Sequence, residues 1–353
     1  CIMRSRYSFL FLLFISQFGW AQKYNPTKEF TINQGLSHNE ITCLYQDMNG
    51  FLWIGTWSGL HKYDGYSITS YVLDNSVSNR LKSNKITALL ETNDSTIWVG
   101  TMVGGLFRFN KKDESFVQYV HDPNDTQTIS DNNIWNIIED KDKNLWIATQ
   151  NGLNKLIISE NRFESWHNDD KDPLSLVYDF ITNLHLDEDN ILWVSTENGV
   201  CWTDLDNRRE VKFNRIFYPD VMNPYLHNYV YAVKTCLSRN KKEVFWITKK
   251  GLKQLKSDGS VVNHEVPLDD PKYSFFRAMA QVDLYDPFLL LGSEDGLYVF
   301  DIDQLKFLQY AGSYDFAQNL SQNTIAGLLL DKSGVLWAGT KKGINKYDTY
   351  SNN

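Results

Sequence analysis

The stretch GFLWIGTWSGLHKYDG, Gly50–Gly65, holds two short apolar runs, Leu52–Thr56 and Leu60–Tyr63, on either side of the polar turn Trp57-Ser58-Gly59. Ile41–Tyr45 and the turn Asp47-Met48-Asn49-Gly50 lie just upstream. Short β-rich runs separated by Gly and Asn turns read as an antiparallel meander. The pattern recurs with Trp98 (WVGTMVGGLFRF), Trp146, Trp193, Trp246 and Trp337, and once with Leu291 in place of Trp. Successive copies are 45, 48, 47, 53, 45 and 46 residues apart. A period near 45 with about four strands per unit is the signature of a propeller. The expectation is an all-β, seven-bladed β-propeller of four-stranded blades.

Each copy divides in the same way. Inner strands are expected at Ile41–Tyr45, Ile86–Leu90, Ile134–Ile138, Ile181–Leu186, Val230–Thr235, Arg277–Val282 and Ile325–Leu330. A polar hairpin, the Trp strand and a Gly-led third strand follow. An aromatic outer strand completes five of the copies: Tyr66–Tyr71, Phe116–Tyr119, Phe163–Trp166, Lys212–Phe217 and Phe307–Tyr310. A glycine opens the third strand every time, at 59, 105, 152, 199, 251, 296 and 343, which predicts a bend with positive φ. Small residues at 55, 100, 148, 195, 292 and 339 predict close approach of adjacent blades, with Ile247 breaking the rule in the fifth. The repeats fall near 36–80, 81–128, 129–175, 176–228, 229–275, 276–319 and 320–348. The last lacks its outer strand, and Lys28–Asn33 is expected to supply it and close the ring, removing an open edge.

Arg4 and Arg6 precede an apolar run, Tyr7–Phe18, and Gly19-Trp20-Ala21 offers small residues for cleavage. Residues 1–21 are expected to be a secretory signal peptide, with Cys1 and Ile2 as a fragment start ahead of Met3. Residues 22–348 are expected to form the propeller and 349–353 to begin a link to a following domain. A net charge of −8 without a basic stripe argues against nucleic acid as a partner. Cys43, Cys201 and Cys236 match no metal or redox spacing and read as small buried hydrophobes. Asp140-Lys141-Asp142-Lys143-Asn144 starts like a calcium loop but lacks the following Gly and the distant Glu, so a hairpin turn is expected. No catalytic, metal or cofactor motif appears, and the chain reads as a non-enzyme.

The repeat LxxNxIxxLxxDxxGxLWIGTxxGLxxYD, found at Leu36–Asp64 and again at Leu320–Asp348, resembles the two-component regulator propeller repeat. The resemblance spans roughly residues 28–348; the fifth and sixth copies depart most from the pattern. It implies the periplasmic sensor region of a Bacteroidota hybrid two-component histidine kinase, sensing oligosaccharides and regulating polysaccharide utilisation. It also implies a parent protein anchored in the inner membrane, continuing into a second propeller and an immunoglobulin-like domain and able to form a homodimer. No kinase histidine or receiver aspartate can be carried over to this chain. The alternatives are a non-catalytic protein-interaction scaffold and a propeller glycosidase or lyase.

A propeller brings the loops entering the inner strands and the loops between second and third strands to one face. On that face the candidate ligand-binding residues are Trp57, Trp135, Gln150, Tyr178, Glu197, Tyr229, Tyr231, Lys249 and Arg277, aromatic platforms beside polar partners, which suit sugars. Tyr218-Pro219-Asp220, Pro224-Tyr225 and His227 fill the longest spacing and form a second aromatic group. Lysines at 249, 250, 341 and 342 suit an acidic glycan.

Overall fold

Alternating side chains along each short strand leave both faces of a blade apolar, so each blade must be covered by its neighbours. The computed structural model describes residues 28–71, 83, 85–207, 210–218, 227–238, 241–266, 276–281, 287–294, 296–308 and 324–347. Among them, twenty-eight strands form seven four-stranded antiparallel sheets. The chain is a seven-bladed β-propeller. Positions 1–21 and 349–353 lie outside the described residues, as do Pro219, Asp220, Pro224 and Tyr225.

The inner strands run Ile41–Gln46, Ile86–Glu91, Ile134–Glu139, Ile181–Leu186, Val230–Ser238, Phe276–Ala280 and Ile325–Leu330. The sixth begins one residue earlier than expected, at Phe276, which occupies the fully buried position that Ile holds in most other blades. The fifth blade has an outer strand, Val261–His264, with no Phe, Tyr or Trp in or beside it to mark it in the sequence. The outer strand of the fourth blade is shorter than expected, Asn214–Ile216. That of the sixth is Lys306–Leu308, the rest of the expected span lying outside the described residues.

Two repeated contacts fix the spacing of the blades. The six repeat tryptophans are buried, none more than 5% exposed. The glycines of the second strands touch the first inner residue of the next blade. A methyl at Gly100 would lie 2.6 Å from Ile134 Cγ2, at Gly292 2.6 Å from Ile325 Cγ2, and at Gly339 2.7 Å from Ile41 Cγ2. In the fifth blade Ile247 packs in one cluster with Phe276 instead. The third-strand glycines have the expected positive φ, from 79° at Gly105 to 141° at Gly59.

A recurring hydrogen-bonded pair satisfies buried polar groups in four of the blades. An aspartate six residues before the tryptophan accepts the indole N–H: Asp47 from Trp53 at 3.0 Å, Asp140 from Trp146 at 3.0 Å, Asp187 from Trp193 at 3.0 Å and Asp331 from Trp337 at 2.8 Å. The other carboxylate oxygen accepts backbone N–H groups of the same hairpin, as Asp140 does from Asn144 at 2.8 Å. The Asp140–Asn144 segment is thus a hairpin turn tied to the core. Thr92 replaces the aspartate in the second blade, and Trp98 Nε1 has no partner there among the described residues.

The ring closes as expected, with one correction. Lys28–Phe30 pairs antiparallel with Gly343–Tyr347, Phe30 lying opposite Ile344. The closing strand ends at Phe30 and does not reach Asn33. Thr31 caps a 3-10 turn, Ile32–Gln34, in which the Gln34 side chain accepts the Thr31 N–H at 2.8 Å, so local capping outcompetes further pairing. Phe30 is 3% exposed and meets the Tyr63 ring edge-on at 4.8 Å, joining the last blade to the first. Phe30→Ala is expected to cost about 3–5 kcal/mol, as for other buried aromatics. Chemical denaturation measures the loss, and light scattering should reveal association through the loosened edge.

Two histidines are built in as neutral groups. His185 Nε2 accepts the Thr235 N–H at 3.1 Å across blades, and burial pushes its pKa down to about 3. His61 Nε2 accepts from Ser37, and burial pushes it down to about 4. An unfolded histidine titrates near 6.5, so below that pH the unfolded chain binds more protons. Their stabilisation is complete above about pH 6.5 and is lost as pH falls towards 4 and then 3. Urea midpoints measured from pH 7.5 to pH 4.5 should fall, and less steeply in His185→Gln.

Candidate functional site

The scaffold brings two loops of a blade together by direct hydrogen bonds in the first four blades. In these blades the residue after the second strand donates its N–H to the residue before the inner strand: Trp57 to Glu40 at 3.4 Å, Met102 to Lys85 at 2.9 Å, Gln150 to Asn133 at 3.1 Å and Glu197 to Phe180 at 3.0 Å. The turn itself is locked by a buried hydroxyl, as when Thr149 Oγ1 donates to Gly152 O at 2.7 Å and Thr340 Oγ1 to Gly343 O at 3.0 Å. The varied loop residues therefore ride on a backbone that repeats.

All seven inner strands skip one residue in pairing with the second strand. The skip falls between Ile41 and Cys43, Ile86 and Ala88, Ile134 and Asn136, Ile181 and Asn183, Val230 and Ala232, Phe276 and Ala278, and Ile325 and Gly327. A bulge re-aims the extra residue. The bulged residues are Thr42, Thr87, Trp135, Thr182, Tyr231, Arg277 and Ala326. Thr87 and Thr182 use the position to donate to the carbonyls of Ile134 and Val230 in the next blade. Trp135, Tyr231 and Arg277, three of the candidate residues, hold the same position in the third, fifth and sixth blades.

These side chains meet in a row that crosses blades. The Trp135 ring lies 5.4 Å from Phe180, Phe180 lies 6.4 Å from Tyr229, and Tyr229 lies 4.7 Å from Tyr231. Lys249 stands 5.4 Å over Tyr229, and the Arg277 guanidinium 6.0 Å over Tyr231. Arg277 is also ion-paired with Glu294, its Nε donating to Oε1 at 3.2 Å. Phe180 is the link that the sequence reading passed over. Its only signal is an aromatic immediately before Ile181, where Glu40, Lys85 and Asn133 stand in the first three blades.

Beside the row a shallow cavity of about 320 Å³ is lined by Gln150, Asn168, Tyr178, Asp179, Phe180 and Glu197. Asp179 Oδ1 accepts the Asn168 N–H at 2.6 Å, which fixes one wall. Tyr178 is exposed at its rim. Eight of the nine candidate residues thus fall in two adjoining groups over the third to sixth blades. Trp57 does not join them: it sits in the first blade with the Lys85 ammonium 5.8 Å from its ring. Cys201 and Cys236 are fully buried, and burial pushes the Cys43 and Cys201 thiols up to about 12, so all three serve packing.

A model of the two component regulator propeller family matches residues 35–58, 80–102 and 128–151. The matched segments fall in the first three blades. Among solved structures, the chain is similar to the extracellular domains of two hybrid two component systems of B. thetaiotaomicron. One is 23% identical with a TM-score of 0.72, covering 91% of this chain and 41% of that one. The other is 21% identical with a TM-score of 0.71, covering 92% and 40%. Virginiamycin B lyase from Staphylococcus aureus is 11% identical with a TM-score of 0.62, covering 91% and 97%. Identities this low establish a shared propeller fold. The chain spans about 40% of the length of the two component system domains. No curated protein sequence matches it.

If Phe180 links the row, Phe180→Ala should leave the fold intact and expose the Trp135 indole. A red shift in emission, measured against a Trp135→Phe, Phe180→Ala double variant to isolate that indole, checks the contact.

Proposed function

We propose that this propeller is the ligand-reading part of an extracytoplasmic sensor in a two-component signalling receptor, and that it binds an oligosaccharide without turning it over. The observation that carries the reading is the aromatic row Trp135–Phe180–Tyr229–Tyr231 beside a cavity of amides and carboxylates. Sugar rings present flat C–H faces to aromatics and hydroxyl edges to directional polar groups, and both kinds of partner adjoin here. The family match and the two extracellular domains support the signalling context. On this reading the propeller works with a following propeller and an immunoglobulin-like domain in a longer periplasmic receptor, which is able to form a homodimer and governs polysaccharide utilisation.

Calorimetry of the full extracytoplasmic region against an oligosaccharide panel tests the proposal. Trp135→Ala and Tyr229→Ala should each weaken binding by about 1–2 kcal/mol, or roughly ten- to thirtyfold, with little change in melting temperature. Unchanged affinity in both variants would place the ligand elsewhere.

A further inference from the structure

The residue facing each repeat tryptophan across the second and third strands is a lysine in four blades. Lys62 faces Trp53, Lys155 faces Trp146, Lys253 faces Trp246 and Lys346 faces Trp337. In three of them the ammonium keeps a contact with its own tryptophan, 5.9 Å, 5.2 Å and 5.6 Å from the ring for Lys62, Lys155 and Lys346, although Lys62 lies nearer the Phe51 ring of the same blade, at 4.0 Å. Lys155 also reaches Asp140 at 3.5 Å. This is a structural device: a cross-strand cation packed on an indole, with its charge balanced or solvated.

Lys253 departs from it. Its ammonium lies 4.3 Å over the Tyr218 ring, which belongs to the loop entering the fifth blade. The side chain is 4% exposed. Among the described residues it has no carboxylate partner and no hydrogen bond; the tyrosine face is its only polar contact. Burial holds the Lys253 amine below its usual range. His227 is held low by burial and then by Lys253 and Lys250, so a neutral imidazole stands beside the two lysines. Asn228 orients the loop: its Oδ1 accepts the Tyr218 N–H at 3.0 Å, and its Nδ2 donates to Asn198 at 2.9 Å. Tyr229, which follows Asn228 in the chain, belongs to the aromatic row and has Lys249 over its ring. A desolvated ammonium without a counter-ion is costly unless something anionic completes it.

We propose that Lys253, with Lys250 and His227, forms an oxyanion site at the boundary of the fourth and fifth blades that takes a carboxylate or sulfate group borne by the ligand. The proposal rests on the oligosaccharide reading only for what carries the anion. It narrows that ligand to an acidic glycan whose charged group enters this site while a ring lies against Tyr229.

The test is calorimetry of the full extracytoplasmic region at fixed ionic strength. The probes are a galacturonate tetramer, a sulfated galactose tetramer, a neutral galactose tetramer and inorganic sulfate. One charged tetramer should bind at least tenfold more tightly than the neutral one. Lys253→Met and the surface change Lys250→Gln should each remove most of that preference. Lys253→Met should melt at the same temperature as the parent or higher, because an unbalanced charge has been removed. Equal binding of neutral and charged tetramers, insensitive to Lys253→Met, overturns the anion site and leaves the oligosaccharide reading standing. Binding of sulfate but of no sugar, lost in Lys253→Met, keeps the anion site and overturns the oligosaccharide reading. Absence of binding by any anion overturns the site, and so does a lowered melting temperature in Lys253→Met, which would make the lysine structural.

Discussion

A blade of this protein cannot bury its own faces, and the distance at which the next blade covers them is set by a contact between a glycine and an isoleucine. Gly55, Gly100, Gly292 and Gly339 each stand where a methyl would press to within 3 Å of Ile86, Ile134, Ile325 and Ile41 respectively. With the backbones that close, the tryptophan of one blade fills the wedge that widens outward toward the next. The inner radius and the outer packing are thus linked: a larger residue at the glycine would push the wedge open and leave the indole in a void. The last wedge has the same demand, which is why Phe30 must return from the start of the chain to pack on Tyr63 and Trp337.

Close packing leaves little room for water, so each polar group carried inside needs a designed partner. The aspartate that ends each regular inner strand serves the turn with one oxygen and the indole with the other. The second-strand hydroxyl serves the glycine turn. The second blade shows that one such bond can be given up: Thr92 leaves the Trp98 N–H unmatched while the blade keeps its geometry. Stability is therefore spread over many copies of a few contacts, as expected of a structure in which each unit meets only its neighbours.

The same repetition frees particular positions for function. A bulge at one place in every inner strand turns one side chain out of the ladder. Where it is threonine, as at Thr87 and Thr182, the hydroxyl ties one blade to the next. Where it is Trp135, Tyr231 or Arg277, that position is given to a large side chain that joins a row crossing blades. Lys253 is the parallel case on the third strand: three equivalent lysines keep a contact with their tryptophans, and the fourth lies over a loop tyrosine instead. Departures from the repeat, rather than the repeat, mark the candidate site.

The periodicity by itself determined the architecture. Spacing near 45 gave the blade count, and the Trp and Gly positions gave the second and third strands, because those residues answer to local demands: a wedge to fill and a positive φ to adopt. The orphan strand at Lys28 was legible for the same reason, although its end at Phe30 was decided by the Thr31–Gln34 cap. The outer strand at Val261–His264 was hidden because no Phe, Tyr or Trp lies in or beside it. The site was legible as loop residues of a shared face but not as an arrangement. A bulge is two residues opposite one, so it exists only in the pairing of two strands and leaves no local mark. Phe180 became part of the row only when the third, fourth and fifth blades stood side by side. Lys253 looks like its counterparts in sequence, and its different partner was chosen by a loop that packing alone brings within 4.3 Å.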